Sequence, residues 1–146
     1  QQFGGQWKLG DDFEHGQVCI NMNSDMSKAQ CIHLIKPLTF MNKSGRVIPF
    51  LQKKGVSAEQ SLVAHDELEK PFGKRMFSLG GSARGHNGLR SIIGMIGKEF
   101  WRLRFGIGRP EHKEDVSRHV LSDFDKEEMI SILKNSLITP VKLACC

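Results

Sequence analysis

Apolar residues recur along this chain with two different periods, and the switches between them divide it into elements. Residues 17–22 and 31–35 are short and alternating, which predicts two strands joined by the polar stretch 23–30. The run 34–42 leaves the second strand as a loop. A helix is expected from about Ser44, with Val47, Ile48 and Leu51 inward and Gly55 as its stop. Pro49 falls inside that pattern and predicts a kink or a later start, because an interior proline loses a backbone bond and clashes with the preceding turn. Residues 62–66, Leu-Val-Ala-His-Asp, predict a strand ending on a carboxylate. Pro71 and Gly73 mark the following turn, and 74–79 alternates like an edge strand. The clearest helix comes next. Leu89, Ile92, Ile93 and Ile96 follow i, i+3, i+4, i+7, with Asn87 as the expected N-cap and Gly97 as the C-cap. Trp101, Leu103, Phe105 and Ile107 then alternate with Arg102 and Arg104, predicting a strand with one apolar and one basic face. A last helix begins near Asp125, where Asp125 and Glu128 have capping-box spacing. Ile130, Leu133 and Leu137 are expected inward, with Pro140 as the stop.

Strands interleaved with helices predict an α/β fold: a single three-layer domain over residues 1–146, with a mixed, mostly parallel sheet and helices on both faces. The 146 residues suit one domain with a real core. No internal repeat, low-complexity tract, secretory signal pattern or membrane-length apolar run interrupts the pattern. Charge adds something the pattern does not. The net charge is +5, but residues 36–109 hold 14 basic and 5 acidic residues, a balance of +9. The flanks hold 7 basic and 11 acidic, a balance of −4. A basic centre with acidic flanks suits a polyanionic partner, although a solvated basic face on an ordinary enzyme gives the same count. Cys19, Cys31, Cys145 and Cys146 have no Cys-x-x-Cys spacing, which argues against zinc and for free thiols in a reducing compartment.

The stretch at 79–90, Leu-Gly-Gly-Ser-Ala-Arg-Gly-His-Asn-Gly-Leu-Arg, concentrates glycines, cations and the His86-Asn87 pair just before the clearest helix. Glycines allow close backbone approach, and a helix N-terminus favours anions, so this is a candidate floor for a phosphate-bearing substrate. Standard phosphate-loop, serine-elbow and zinc-helix motifs are absent from the sequence. What remains is a polar set on three loops: Asn42, Asp66, and His86 with Asn87. A carboxylate can orient a catalytic histidine, and amides can hold a carbonyl, a water or a ribose hydroxyl. Each residue also has an ordinary reading. The asparagines could cap helices, His86 could be a loop donor, and Asp66 could accept bonds in a strand-end turn.

Four segments together carry more than their parts. Thr-Phe-Met-Asn-Lys-Ser-Gly at 39–45, Val-Ala-His-Asp-Glu-Leu at 63–68, Leu-Gly-Gly-Ser-Ala-Arg-Gly-His-Asn-Gly-Leu at 79–89 and Arg-Leu-Arg-Phe-Gly-Ile-Gly-Arg-Pro at 102–110 stand in one order and spacing. In that order they resemble the bacterial-type peptidyl-tRNA hydrolase family over about residues 32–121, most closely in its animal versions. The resemblance implies hydrolysis of the ester between peptide and tRNA, which recycles the tRNA without a metal or cofactor. It implies that Asp66 holds a general-base histidine in its basic form and that Asn42 binds substrate beside that base. Phe40 would line the same site, and Asn87, preceded by His86, would position water and the peptide end. Arg104 would grip a tRNA phosphate. The implied partner is tRNA, bound by a monomer with no membrane or metal, in the cytoplasm, or in the mitochondrion if a transit peptide preceded residue 1.

The chain departs from the family pattern in three places. The family's first strand, its Gly-Asn-Pro-Gly loop and the Thr-Arg-His motif bearing the base are not found in residues 1–16. His15, in Glu-His-Gly, has other neighbours, and His65 should face away from Asp66 on a strand. Ser78 stands where many members have a phosphate-gripping lysine, for which Lys74 or Arg75 could compensate, and the stretch after Leu137 is short for the family's closing helix. The expectation is therefore an N-terminally incomplete hydrolase domain with impaired activity. A non-catalytic RNA-binding module of the same fold is the alternative.

Overall fold

A computed structural model of the chain describes residues 7–21 and 29–136. They group into two compact units, one of residues up to 58 together with 81–98, the other of residues 59–80 together with 99–136.

The first unit opens with an antiparallel sheet ordered β1-β2-β3, in which β1 is Trp7–Leu9, β2 is Phe13–Asn21 and β3 is Ala29–Pro37. Both hairpin strands are longer than the apolar alternation indicates. The register runs Phe13↔Pro37 to Asn21↔Ala29, so backbone pairing recruits polar residues at both ends. β1, which the sequence does not announce, pairs Trp7 with Gly16, and the indole lies over the site where Gly16 lacks a side chain. The same register sets Cys19 opposite Cys31, and the two form a disulfide. This corrects the free-thiol reading: spacing along the chain is uninformative when strand pairing brings distant cysteines together. Cys145 and Cys146 lie outside the described residues, as do Leu137 and Pro140.

After the hairpin, Met41–Val47 form a 3-10 helix, and α1, Ile48–Lys53, starts with Pro49 in its first turn. Proline is welcome there because the first amides of a helix have no partner to lose. The late start resolves the tension that Pro49 created in the sequence. Val47 and Ile48 are buried as expected. α2, Asn87–Ile96, buries Leu89 and Ile92, and Gly97 closes it at a positive φ of 83°. The N-cap is His86 rather than Asn87.

In the second unit the sheet order is β4-β6-β5, with β4 Leu62–Glu67, β5 Arg75–Leu79 and β6 Trp101–Gly106. β4 runs parallel to β6 and β5 antiparallel, which makes β5 the edge strand expected. The α/β class holds, but the strands form two three-stranded sheets, and β4–β6 is the one parallel pair among the described residues. Local patterning fixes where strands lie, whereas pairing is decided by distant segments.

As the central strand, β6 is covered, burying Leu103 and Phe105 alongside Phe100 and Ile107. Full burial of one such side chain contributes about 1.5–3 kcal/mol. The rings of Phe72, Phe105 and Phe124 meet with centroids 5.7–6.2 Å apart in edge-on geometry. The basic face predicted for β6 does not materialise. Arg102 is 1% exposed, its guanidinium 4.9 Å above the Phe100 ring, while Trp101 is exposed.

Beyond β6, a 3-10 turn at Lys113–Asp115 leads to α3, Val116–Leu121, and then to α4, Lys126–Ser136. The capping box is reciprocal. Glu128 N–H donates to Asp125 Oδ1 at 2.8 Å, and Asp125 N–H to Glu128 Oε2 at 3.0 Å. Ile130 and Leu133, expected inward, are instead exposed.

Candidate functional site

In the first unit, two of the four sequence segments meet. Gly45, in the 3-10 helix, donates its N–H to Ser91 Oγ of α2 at 3.0 Å. A Cβ at Gly45 would lie 2.5 Å from the Ser91 carbonyl oxygen, so only glycine allows this approach. One turn earlier, Met41 reaches α2 as well: a Cβ at Gly88 would stand 3.0 Å from Met41 Cγ and 2.9 Å from His86 Cε1. Asn42 follows Met41 and Asn87 precedes Gly88, so both asparagines belong to one neighbourhood, and both are exposed. Phe40, at the N-cap of the 3-10 helix, is 81% exposed, an unusual position for a phenyl ring.

His86 has a defined job in this arrangement. Leu89 N–H donates to His86 Nδ1 at 3.2 Å, capping α2. With Nδ1 accepting, the neutral ring carries its proton on Nε2. His86 thus supports Asn87, the first residue of the helix, by fixing where α2 begins.

Asp66 and Arg104 lie in the second unit. Asp66 sits half-buried near the carboxyl end of β4, opposite Phe105 of β6, where sheets of this class place their chemistry. The adjacent His65 is buried, and its Nδ1 lies 2.7 Å from the Asp66 carbonyl oxygen. The Nδ1 of this ring is thus occupied by the backbone of its own strand. Arg104 is no free cation. Its Nη1 lies 3.7 Å from Glu67 Oε2, with the two side chains 14% and 13% exposed. Arg109 is anchored by Glu69 at the following turn, and Nε2 of His119 lies 3.1 Å from each of the carbonyl oxygens of Ile107 and Gly108.

Of the cations near the first-unit group, sequence reasoning passed over Arg84, Lys43 and Arg90. All three are exposed, and none has an ion-pair partner among the described residues. The mid-loop Arg-Gly at 84–85 was the available signal, since it is turn chemistry. Among the described residues, no group of three or more His, Cys, Asp or Glu side chains could hold a metal ion, and no helix is long and apolar enough to cross a membrane.

His15, the histidine nearest the start of the described residues, is engaged elsewhere. Its Nε2 lies 3.0 Å from His33 Nδ1, the two rings stack at 5.3 Å, and Phe50 of α1 meets both edge-on. Burial, then the neighbouring His33, Lys54 and Lys8, hold its pKa below the usual histidine value.

Comparison with known proteins bears directly on the four segments. The chain is 49% identical over 104 residues to the peptidyl-tRNA hydrolase of Pelagibacter ubique, covering 70% of this chain and 56% of that protein. It is 43% identical over 110 residues to the peptidyl-tRNA hydrolase of Aliarcobacter butzleri, covering 75% and 60%. The chain thus spans about half the length of the curated relatives it matches. Among solved structures, the crystal structure of peptidyl-tRNA hydrolase from Acinetobacter baumannii superposes with a TM-score of 0.78 at 36% identity, covering 94% of this chain and 67% of that one. The profile of one family, peptidyl-tRNA hydrolase, matches residues 5–144. A match of that extent, on a fold shared with a solved member, makes this chain a member of the peptidyl-tRNA hydrolase family.

Proposed function

We propose that this chain binds peptidyl-tRNA and acts on the ester joining peptide to tRNA, releasing tRNA for reuse. The observation that carries the reading is the junction in the first unit. Gly45 and Ser91 lock the 3-10 helix to α2, which sets the segments bearing Phe40, Asn42 and Asn87 side by side. These residues suit the 3′ end of a tRNA: the phenyl ring offers a face for a base, and the amides can hold the ribose hydroxyl, the ester carbonyl and a water. Asp66 is the carboxylate that holds a general-base histidine in its reactive tautomer, and His86 keeps Asn87 in place through the α2 cap. Arg104 takes a tRNA phosphate by exchanging Glu67 for it. The protein works as a monomer without cofactor or metal, in the compartment of translation, cytosol or mitochondrion.

The Thr-Arg-His segment that bears the family's base is not among the 146 residues, and we assign its role neither to His15, which bonds His33, nor to His65, whose Nδ1 lies against the Asp66 backbone carbonyl. Substrate binding is therefore expected to exceed turnover. The test incubates this chain with peptidyl-tRNA while following both tRNA binding at two salt concentrations and release of the peptide. Salt-dependent binding with slow release is the expected result, and Asn87→Ala and Asp66→Ala should each lower the residual rate at least about tenfold. Binding with no release at all would favour the RNA-binding module of the same fold. If binding ignores salt and no ester is cleaved, the assignment fails.

A further inference from the structure

Residues 83–86 form a turn of an uncommon kind. His86 N–H donates to the Ala83 carbonyl at 2.8 Å, and the two central residues, Arg84 and Gly85, both have positive φ, 45° and 86°. Two positive φ values inside a bonded four-residue turn are the signature of type I′, whose first central position is normally Gly, Asn or Asp. Arg84 is the one non-glycine residue with positive φ among the described residues. A long side chain at such a position carries a steric cost that glycine would remove.

Nothing within the described fold offsets that cost. Arg84 is exposed and has no ion-pair partner there, so its guanidinium does not hold the turn together. The turn ends on His86 and delivers Asn87. Exposed Lys43 follows Asn42 directly, and exposed Arg90 lies on the first turn of α2. Arg104, by contrast, already faces a carboxylate. A side chain held against its backbone preference, exposed, without an ion-pair partner among the described residues and next to the segment that carries Asn87, points to a ligand outside the fold.

We propose that Arg84 is a substrate-binding residue, and that its guanidinium takes a backbone phosphate near the 3′ end of the tRNA whose ester lies at Asn87. The inference rests on the tRNA-directed reading above and adds to it a phosphate contact on the first unit, with Lys43 and Arg90 supplying the surrounding positive field. A planar guanidinium grips two phosphate oxygens in a fixed fork, whereas a lysine at the same place would act as a point charge.

The experiment titrates deacylated tRNA against the whole chain at several salt concentrations, comparing wild type, Arg84→Gly and Arg118→Gln. Arg118 lies on α3 and pairs with Asp115, so its replacement removes the same charge elsewhere. Arg84→Gly is expected to weaken binding about threefold to tenfold. It should also make the dependence of log affinity on log salt shallower by about 0.7, the value of one phosphate contact on a single strand. Its melting temperature should equal or exceed that of wild type, because the strained φ is relieved. Arg118→Gln should bind as wild type does. Arg84→Gly binding indistinguishable from wild type, or matched in loss by Arg118→Gln, overturns the proposal, as does a lowered melting temperature of Arg84→Gly. If wild type itself binds tRNA without salt dependence, the tRNA-directed reading fails, a result distinguishable from failure at Arg84 alone.

Discussion

At Gly45 the fit decides the residue. A methyl group would stand 2.5 Å from the Ser91 carbonyl and 2.9 Å from Ser91 Oγ, and the backbone oxygen cannot swing aside as a flexible side chain could. Gly45→Ala is expected to destabilise the protein by about 1–3 kcal/mol, the usual cost of overpacking a tight contact. Thermal or urea denaturation checks it, and an unchanged midpoint would mean that the two helices are not locked here. The glycine ending the segment at 39–45 thus has a packing explanation, whereas the exposed Asn42 in the same segment does not. At this scale the sequence was readable where the chemistry is local. Asp125 and Glu128 were identifiable because a capping box needs only residues three apart. The cap of α2 was misplaced by one residue because His86 and Asn87 can both accept from a helix amide, and only geometry selects between them.

The hairpin β2–β3 shows what changes at the scale of an element. His15 and His33 bond each other beneath Phe50, with Lys54 and Lys8 adding positive charge nearby. Folding depresses the His15 pKa, so below the unfolded value of 6.5 the unfolded chain binds more protons than the folded one. The stabilisation is complete above pH 6.5 and is lost as pH falls through the lowered folded value. The wild-type melting temperature should therefore fall between pH 7.5 and pH 5.5 more steeply than that of His15→Gln. Parallel slopes would show that this pair does not sense acid. Sequence alternation located both strands of the hairpin, yet neither their length nor the Cys19–Cys31 pairing, since register is set across strands. α4 illustrates the converse limit. Its spacing marks an apolar stripe at Ile130 and Leu133, and both are exposed, because periodicity says which face is apolar and not which face is covered.

For the whole molecule, the α/β class was legible because helix and strand periods alternate, and the family was legible because four motifs occur in a fixed order. The arrangement of strands in two sheets was not, since it depends on pairings between segments far apart in sequence. Charge was legible as a sum and not as a surface. Residues 36–109 carry a balance of +9, but Arg102 in that block is buried on β6 and Arg104 faces Glu67. A scan that removes every cation in turn would consequently mix two kinds of casualty. Arg102→Ala should appear as missing protein, with low soluble yield and early unfolding, because it empties the space over Phe100 and strips a buried group from its surroundings. Loss at Arg84 should leave yield intact and show only in the complex. Expression level, measured before any binding curve, sorts architectural arginines from those that meet a visitor.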